Sequence, residues 1–171
     1  MNVFFNRIIR AAKLDIHLYE EVEADKTALG QSMMVVILSS IAAGIGLITK
    51  GGTTGILIGT LTAIIGWLIW SYLTYIIGTK LLPTSETRAD YGELLRTVGF
   101  SSSPGIIRIL GIIPSLVNIV FLIAGIWMLV AMVIAVRQAL DYTSTFRAIG
   151  VCIIGWIIQA IVLGLFFGLI K

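Results

Sequence analysis

Residues 91–113 read YGELLRTVGFSSSPGIIRILGII, and the way this stretch lies decides whether the chain crosses a membrane four times or five. It carries Glu93, Arg96 and Arg108 and is interrupted by Ser101-Ser102-Ser103-Pro104-Gly105, so its longest uncharged piece is only residues 97–107. If it crosses, Arg96 and Arg108 snorkel to opposite interfaces, separated by roughly 18 Å of helix. If it is re-entrant, the carbonyls freed by the Pro-Gly break need partners in neighbouring protein. Asp90, three residues before Glu93, is a capping-box pattern that starts a helix here.

Outward from that stretch the chain is strongly apolar. Of its 171 residues 58% are hydrophobic and 12% charged, against about 25% charged in a soluble domain. Residues 27–49, 51–79, 109–136 and 148–170 contain no Asp, Glu, Lys or Arg, and each run exceeds the roughly 20 residues that cross a bilayer as helix. The pattern predicts an all-α polytopic membrane protein with spans at about 31–49, 54–78, 92–113, 114–136 and 148–170. Five crossings fit best. Trp67, Trp70, Tyr72 and Tyr75, rings suited to the headgroup level, and the capped start at Asp90 set the 79–90 loop at one face, with enough helix afterwards to return.

With the N-terminus inside, nine basic residues (Arg7, Arg10, Lys13, Lys26, Lys80, Arg88, Arg96, Arg137, Arg147) face the cytosol against Lys50, Arg108 and Lys171 outside. The positive-inside rule thus places the N-terminus in the cytosol. Four crossings would also leave nine inside, so charge does not choose the number. The net charge of +3 reflects this orientation and gives no reason to expect nucleic acid.

Residues 1–26 form a separate cytosolic segment ahead of the 27–171 membrane domain. Phe5, Ile8, Ile9, Ala12, Ile16 and Tyr19 make an apolar stripe at helical spacing over 3–19, either an interfacial helix on the bilayer or a cap packed on the bundle. Arg7, Arg10 and Lys13 interrupt it, so no cleaved leader is expected. An acidic turn of Glu20, Glu21, Glu23 and Asp25 follows, with Asp25 or Thr27 as cap of the first span.

Small residues recur every fourth position at Gly51, Gly55, Gly59 and Ala63 and again at Ala160, Gly164 and Gly168, with Ser40/Gly44 and Ala42/Gly46 on the first span. Such lines permit close backbone packing, within one chain or across a homo-oligomer. Arg137 and Asp141 stand four apart as a helical ion pair. Catalysis is not expected. The uncharged runs hold no acid or base, His17 lies ahead of them, Cys152 is alone, and neither a metal-ligand spacing nor a phosphate loop is present, so no cofactor is implied. The polar groups at depth are Arg96, Arg108, Asn118, Gln159 and the serine triplet. They are either a small conduction or lipid-headgroup site, or snorkelling and interhelical hydrogen bonding.

Leu18-Tyr19 ahead of the first span, the hairpin of the first two spans, Gly99-Phe100-Ser101-Ser102-Ser103-Pro104, and a Trp127 span ending in Val136-Arg137-Gln138-Ala139-Leu140 together resemble the Yip (Ypt-interacting protein) domain family, over roughly residues 5–165. The family's Gly-Tyr-x-x-x-Pro pattern is similar to Gly99 and Pro104 with Phe100 for Tyr. Its Asp-Leu-Tyr-Gly-Pro pattern survives as Leu18 and Tyr19. The resemblance, to the prokaryotic branch, implies five spans, a cytosolic N-terminus and a non-enzymatic membrane-organising or trafficking-type adaptor, with the lipid bilayer, a protein partner and, through the family, a small GTPase as partner classes. On this reading Gly99, Phe100 and Pro104 form a functional break, Glu93 and Arg96 its cytosolic mouth, and Tyr19 a headgroup-level residue. The alternative is a small transporter or channel that uses the break and Arg108. Short loops point to a prokaryotic plasma (inner) membrane.

Overall fold

The computed structural model describes residues 2–169, with the side chains of all of these except residue 160 and residues 162–169. Among the described residues the chain is wholly helical: α1 Val3–Ala12, α2 Ile16–Ala24, α3 Leu29–Gly46, α4 Ile48–Ile76, α5 Tyr91–Phe100, α6 Val117–Ala139 and α7 Thr145–Leu169. Short tight turns of 3-10 helix precede α3 and α6, a π-helical turn Ile77–Leu81 extends α4, and a long 3-10 helix, Ser103–Ile112, follows α5. Three stretches, Lys26–Gly46, Ile48–Leu81 and Pro114–Ala139, are long and apolar enough to cross a bilayer, and Thr145–Gln159 is a shorter apolar helix.

The expected single stripe over 3–19 is instead two helices. The Asp15 N–H donates to the Arg10 carbonyl and the Leu14 N–H to that of Ala11, with Leu14 at φ 61. This is a Schellman turn, which turns the chain and lets Asp15 cap α2 through the His17 N–H. The C-terminal end of α6 follows the same rule, with the Tyr142 N–H donating to the Arg137 carbonyl. Asp141 at φ 52 stops the helix, and Arg137 bonds the carbonyls of Tyr142 and Thr143 and the Thr145 hydroxyl, which replaces the expected Arg137/Asp141 pair. At the α3/α4 hairpin the turn comes earlier than expected, at Leu47, and Gly52 (φ 57) breaks the start of α4. The capping box is as read from the sequence. The Glu93 N–H donates to Asp90 at 2.9 Å and the Asp90 N–H to Glu93 at 2.7 Å.

The core has two parts that share α5. Trp67, Leu94, Leu95, Val98, Val136, Leu140 and Val151 join α4 to α7 around one side. Ala11, Leu18, Tyr19, Val22, Val35, Phe100 and Ala135 dock the N-terminal pair on the other. Every residue from Leu94 to Phe100 is buried, so α5 is enclosed by protein. A helix so enclosed needs no continuous apolar surface, which is how a polar segment sits among apolar ones.

The line of approach between α5 with its 3-10 continuation and α3 is regular. A Cβ on Gly99 would lie 2.6 Å from Ser32, one on Gly105 would lie 2.2 Å from the Ser39 hydroxyl, and one on Gly111 would lie 3.1 Å from the Gly46 carbonyl oxygen. Six residues on one side match seven on the other, so the two run alongside each other in the same direction. Ser32 to Gly46 is about 21 Å of α-helix. Side chains three apart eclipse on a 3-10 helix, so a six-residue glycine spacing keeps one face bare against α3.

Candidate functional site

The break at Ser101–Pro104 leaves no loose backbone end. Proline removes the N–H that a continuing helix would offer to the Phe100 carbonyl, and the Ser103 hydroxyl donates to that carbonyl at 2.7 Å. The Ser101 hydroxyl takes the Val98 carbonyl, also at 2.7 Å. The Ser101 and Ser103 hydroxyls therefore close the break, in the way serine hydroxyls re-satisfy backbone at depth. Pro104 and Gly105 are both buried, the latter beside Ser39 and Met128.

Four expectations change at the level of single side chains. Tyr19 is fully buried and donates to the Ala11 carbonyl, so it is a core residue and not a headgroup anchor. Trp67 is 7% exposed and donates to the Leu95 carbonyl at 3.0 Å, which ties α4 to α5. Tyr72, by contrast, stays half exposed beside Tyr91 and Tyr75. Arg96 does not snorkel. It is 5% exposed and donates to the carbonyls of Val22, at 2.9 Å, and Glu23, where it satisfies the bare C-terminal end of α2.

Arg108 departs furthest from expectation. Its carbonyl oxygen lies against Gly46, at the end of α3 remote from the N-terminal helices. Its guanidinium turns back along α3, where Nη2 meets the Ser39 hydroxyl at 2.8 Å and Nε meets the Gly105 carbonyl at 3.0 Å. Seven residues of α3 separate Gly46 from Ser39, roughly 10 Å. The charge points inward, opposite to snorkelling, with the Phe121 ring 5.9 Å away. A lone arginine at depth costs about 2.5–3.5 kcal/mol on insertion scales. Among the described residues no carboxylate pairs with it, since the ion pairs found are those of Arg7, Arg10 and His17.

The guanidinium borders a cavity of about 750 Å³, within the range of small-molecule sites. One wall is the α4 line of Gly51, Gly55, Gly59 and Ala63. A Cβ on Gly51, Gly55 or Gly59 would meet no described residue within 4 Å, so among the described residues that line packs on no helix and forms a smooth wall. Close packing of α3 on α4 runs through Gly44 against Ile56 and Ser40 against Thr60. The second line, Ala160, Gly164 and Gly168, lies outside the residues whose side chains are described. Trp70 also lines the cavity, and its indole N–H is buried without an acceptor.

At the other end of the bundle, the N-terminal pair is clasped by ion pairs. Arg7, 7% exposed, bonds Glu21 at 2.9 Å, Asp25 at 2.8 Å and Gln31 at 3.0 Å. The Thr27 hydroxyl, with the Arg7 guanidinium, holds the Asp25 carboxyl down at about 2. Burial, and then the charges of Asp141 and Glu93, push Glu23 up to about 7. Trp127 on α6 donates to the Ala12 carbonyl at 2.8 Å, which fastens α1 to the bundle flank. So α1 does pack as a cap, through Phe4, Ile8 and Ala11, while Val3, Phe5 and Ile9 stay exposed.

The chain matches the Yip1 domain over residues 19–167, a range that begins within α2 and takes in the helical hairpin, the capped and broken third segment and α6. The chain belongs to the Yip1 domain family. It is a helical integral membrane protein of that class, and Leu18, Tyr19, Gly99, Phe100 and Pro104, which carried the resemblance, sit in or beside the α2/α3/α5 contact. No curated protein and no solved structure matches it. The six-residue spacing of Gly99, Gly105 and Gly111 does not follow the four-residue helical repeat, and its signal in the sequence is a period of six on either side of a proline.

Proposed function

We propose that this Yip1-family chain is a non-enzymatic membrane-organising adaptor that crosses the prokaryotic plasma membrane five times with its N-terminus in the cytosol. The observation that carries the organising role is α1, fastened on the flank by Arg7 and Trp127 with Val3, Phe5 and Ile9 turned outward. An amphipathic helix so anchored enters the headgroup region of one leaflet and spreads it. The parallel run of residues 99–111 beside α3 supports a fifth crossing. The surface formed by α2, the 82–90 loop and the end of α6 is then the face offered to a protein partner, a small GTPase by family analogy.

Reconstitution tests this. Liposomes carrying the purified protein should become smaller or tubular by electron cryomicroscopy, and the pair Phe5→Ser and Ile9→Ser should abolish the effect while the melting temperature in detergent stays put. Unaltered liposomes with the wild-type chain would remove the organising role. A transport reading is favoured by one observation, the inward Arg108 on a large cavity. It requires solute flux that Pro104→Ala or Arg108→Gln abolishes.

A further inference from the structure

Arg108 and its cavity are not used by the adaptor reading and carry an inference independent of it. The guanidinium has five N–H donors. Nε is engaged by Gly105 and Nη2 by Ser39, and the two N–H groups of Nη1 have no partner among the described residues. The cavity they border also takes in Lys50, at the α3/α4 turn, with Ser40, Ser102 and Gln159, and no acid lines it. All nine acidic residues lie in or beside the N-terminal pair, the 82–90 loop, the start of α5 or the 140–144 turn, at the other end of α3. The cavity is therefore a cationic cleft with apolar walls, lined by Lys50 and Arg108.

We propose that this cleft holds one anionic phospholipid, its phosphate on the Nη1 side of Arg108 and its acyl chain along the side-chain-free α4 wall of Gly55 and Gly59. Charge complementarity selects an anion, since an arginine turned inward without a carboxylate lacks its counter-ion, and the free N–H groups of Nη1 can give charge-assisted hydrogen bonds to a phosphate. The walls select the rest. Ala63, Trp67, Trp70, Met128 and Met132 offer apolar surface that a free phosphate would leave empty.

The test uses the full chain purified in a non-ionic detergent, with bound lipid counted by native mass spectrometry. Dioleoyl phosphatidic acid is expected to be retained at one per chain, at least tenfold in preference to dioleoyl phosphatidylcholine, and excess inorganic phosphate should not displace it. Arg108→Gln should abolish the preference, whereas Arg137→Gln, which removes a cation at the opposite end, should leave it intact. Gly59→Leu fills the wall without touching Arg108 and should reduce retention of the lipid at least tenfold. It decides the matter if Arg108→Gln does not fold. Equal retention of the two lipids, a preference that survives Arg108→Gln or Gly59→Leu, or an equal loss in Arg137→Gln would overturn the proposal. Displacement by inorganic phosphate alone would make the site one for a free anion and overturn the lipid assignment.

Discussion

One methyl group separates two kinds of glycine in this chain. A Cβ on Gly99 would meet Ser32 at 2.6 Å, with backbone atoms at 3.1 Å behind it, so Gly99→Ala must push α5 off α3. Overpacking of this kind costs about 1–3 kcal/mol, and the melting temperature in detergent should fall accordingly. Gly59→Ala meets no described residue and should leave it unchanged or slightly higher, because alanine favours helix. Sequence alone ranks these glycines the other way. A four-residue repeat is visible in a string of letters, whereas the partner of Gly99 comes from a segment 67 positions away. Arg96 shows the same limit. As a letter at the membrane edge it reads as a snorkelling cation, and only the fold brings it to the open end of α2. Its truncation to Ala leaves the carbonyls of Val22 and Glu23 buried without a donor, at a cost of about 1–3 kcal/mol. Hydrogen exchange in α2 should rise while exchange in α6 stays the same.

The elements themselves were largely legible, since the signals that set them are local. The Asp90/Glu93 box, the Pro104 break and the four uncharged runs all act within one helical turn or by simple length, and each has its element in the structure. Two things were not local. Leu14 adopts a left-handed conformation that leucine disfavours, and the docking of Leu18 and Tyr19 on Phe100 and Ala135 holds that turn in place. Glu23, at the end of α2, gives this element a pH dependence. Its carboxyl is raised from 4.5 to about 7, so between those values the folded chain keeps a proton that the unfolded chain has released. Stability therefore declines as pH rises from about 4.5 to about 7 and is flat above that. Asp25, held at about 2, acts in the opposite sense and only in acid, where its contribution is lost as pH falls. Melting curves from pH 5 to 8 should show the decline, and Glu23→Gln should flatten it.

On the scale of the whole molecule, the bundle sorts its charges by end. The basic residues at the N-terminal end are those the positive-inside count places in the cytosol, and the acids share that end in the Arg7 and Arg10 clasps. Among the described residues three helices are long and apolar enough to cross a bilayer; α5 is not one of them, and a segment enclosed by protein is free of the requirement to be apolar. The glycine contacts at 99, 105 and 111 are what argue that the third segment travels the length of α3. Labelling of single cysteines in intact cells tests that crossing directly. In a Cys152→Ala background, Thr53→Cys marks the α3/α4 turn, Ser85→Cys the 82–90 loop and Ser115→Cys the turn after the 3-10 helix, all three at exposed positions. A membrane-impermeant maleimide added outside should label Thr53→Cys and Ser115→Cys and spare Ser85→Cys. Labelling that groups Ser115→Cys with Ser85→Cys would mean that residues 91–113 turn back, and the five-crossing account would be wrong.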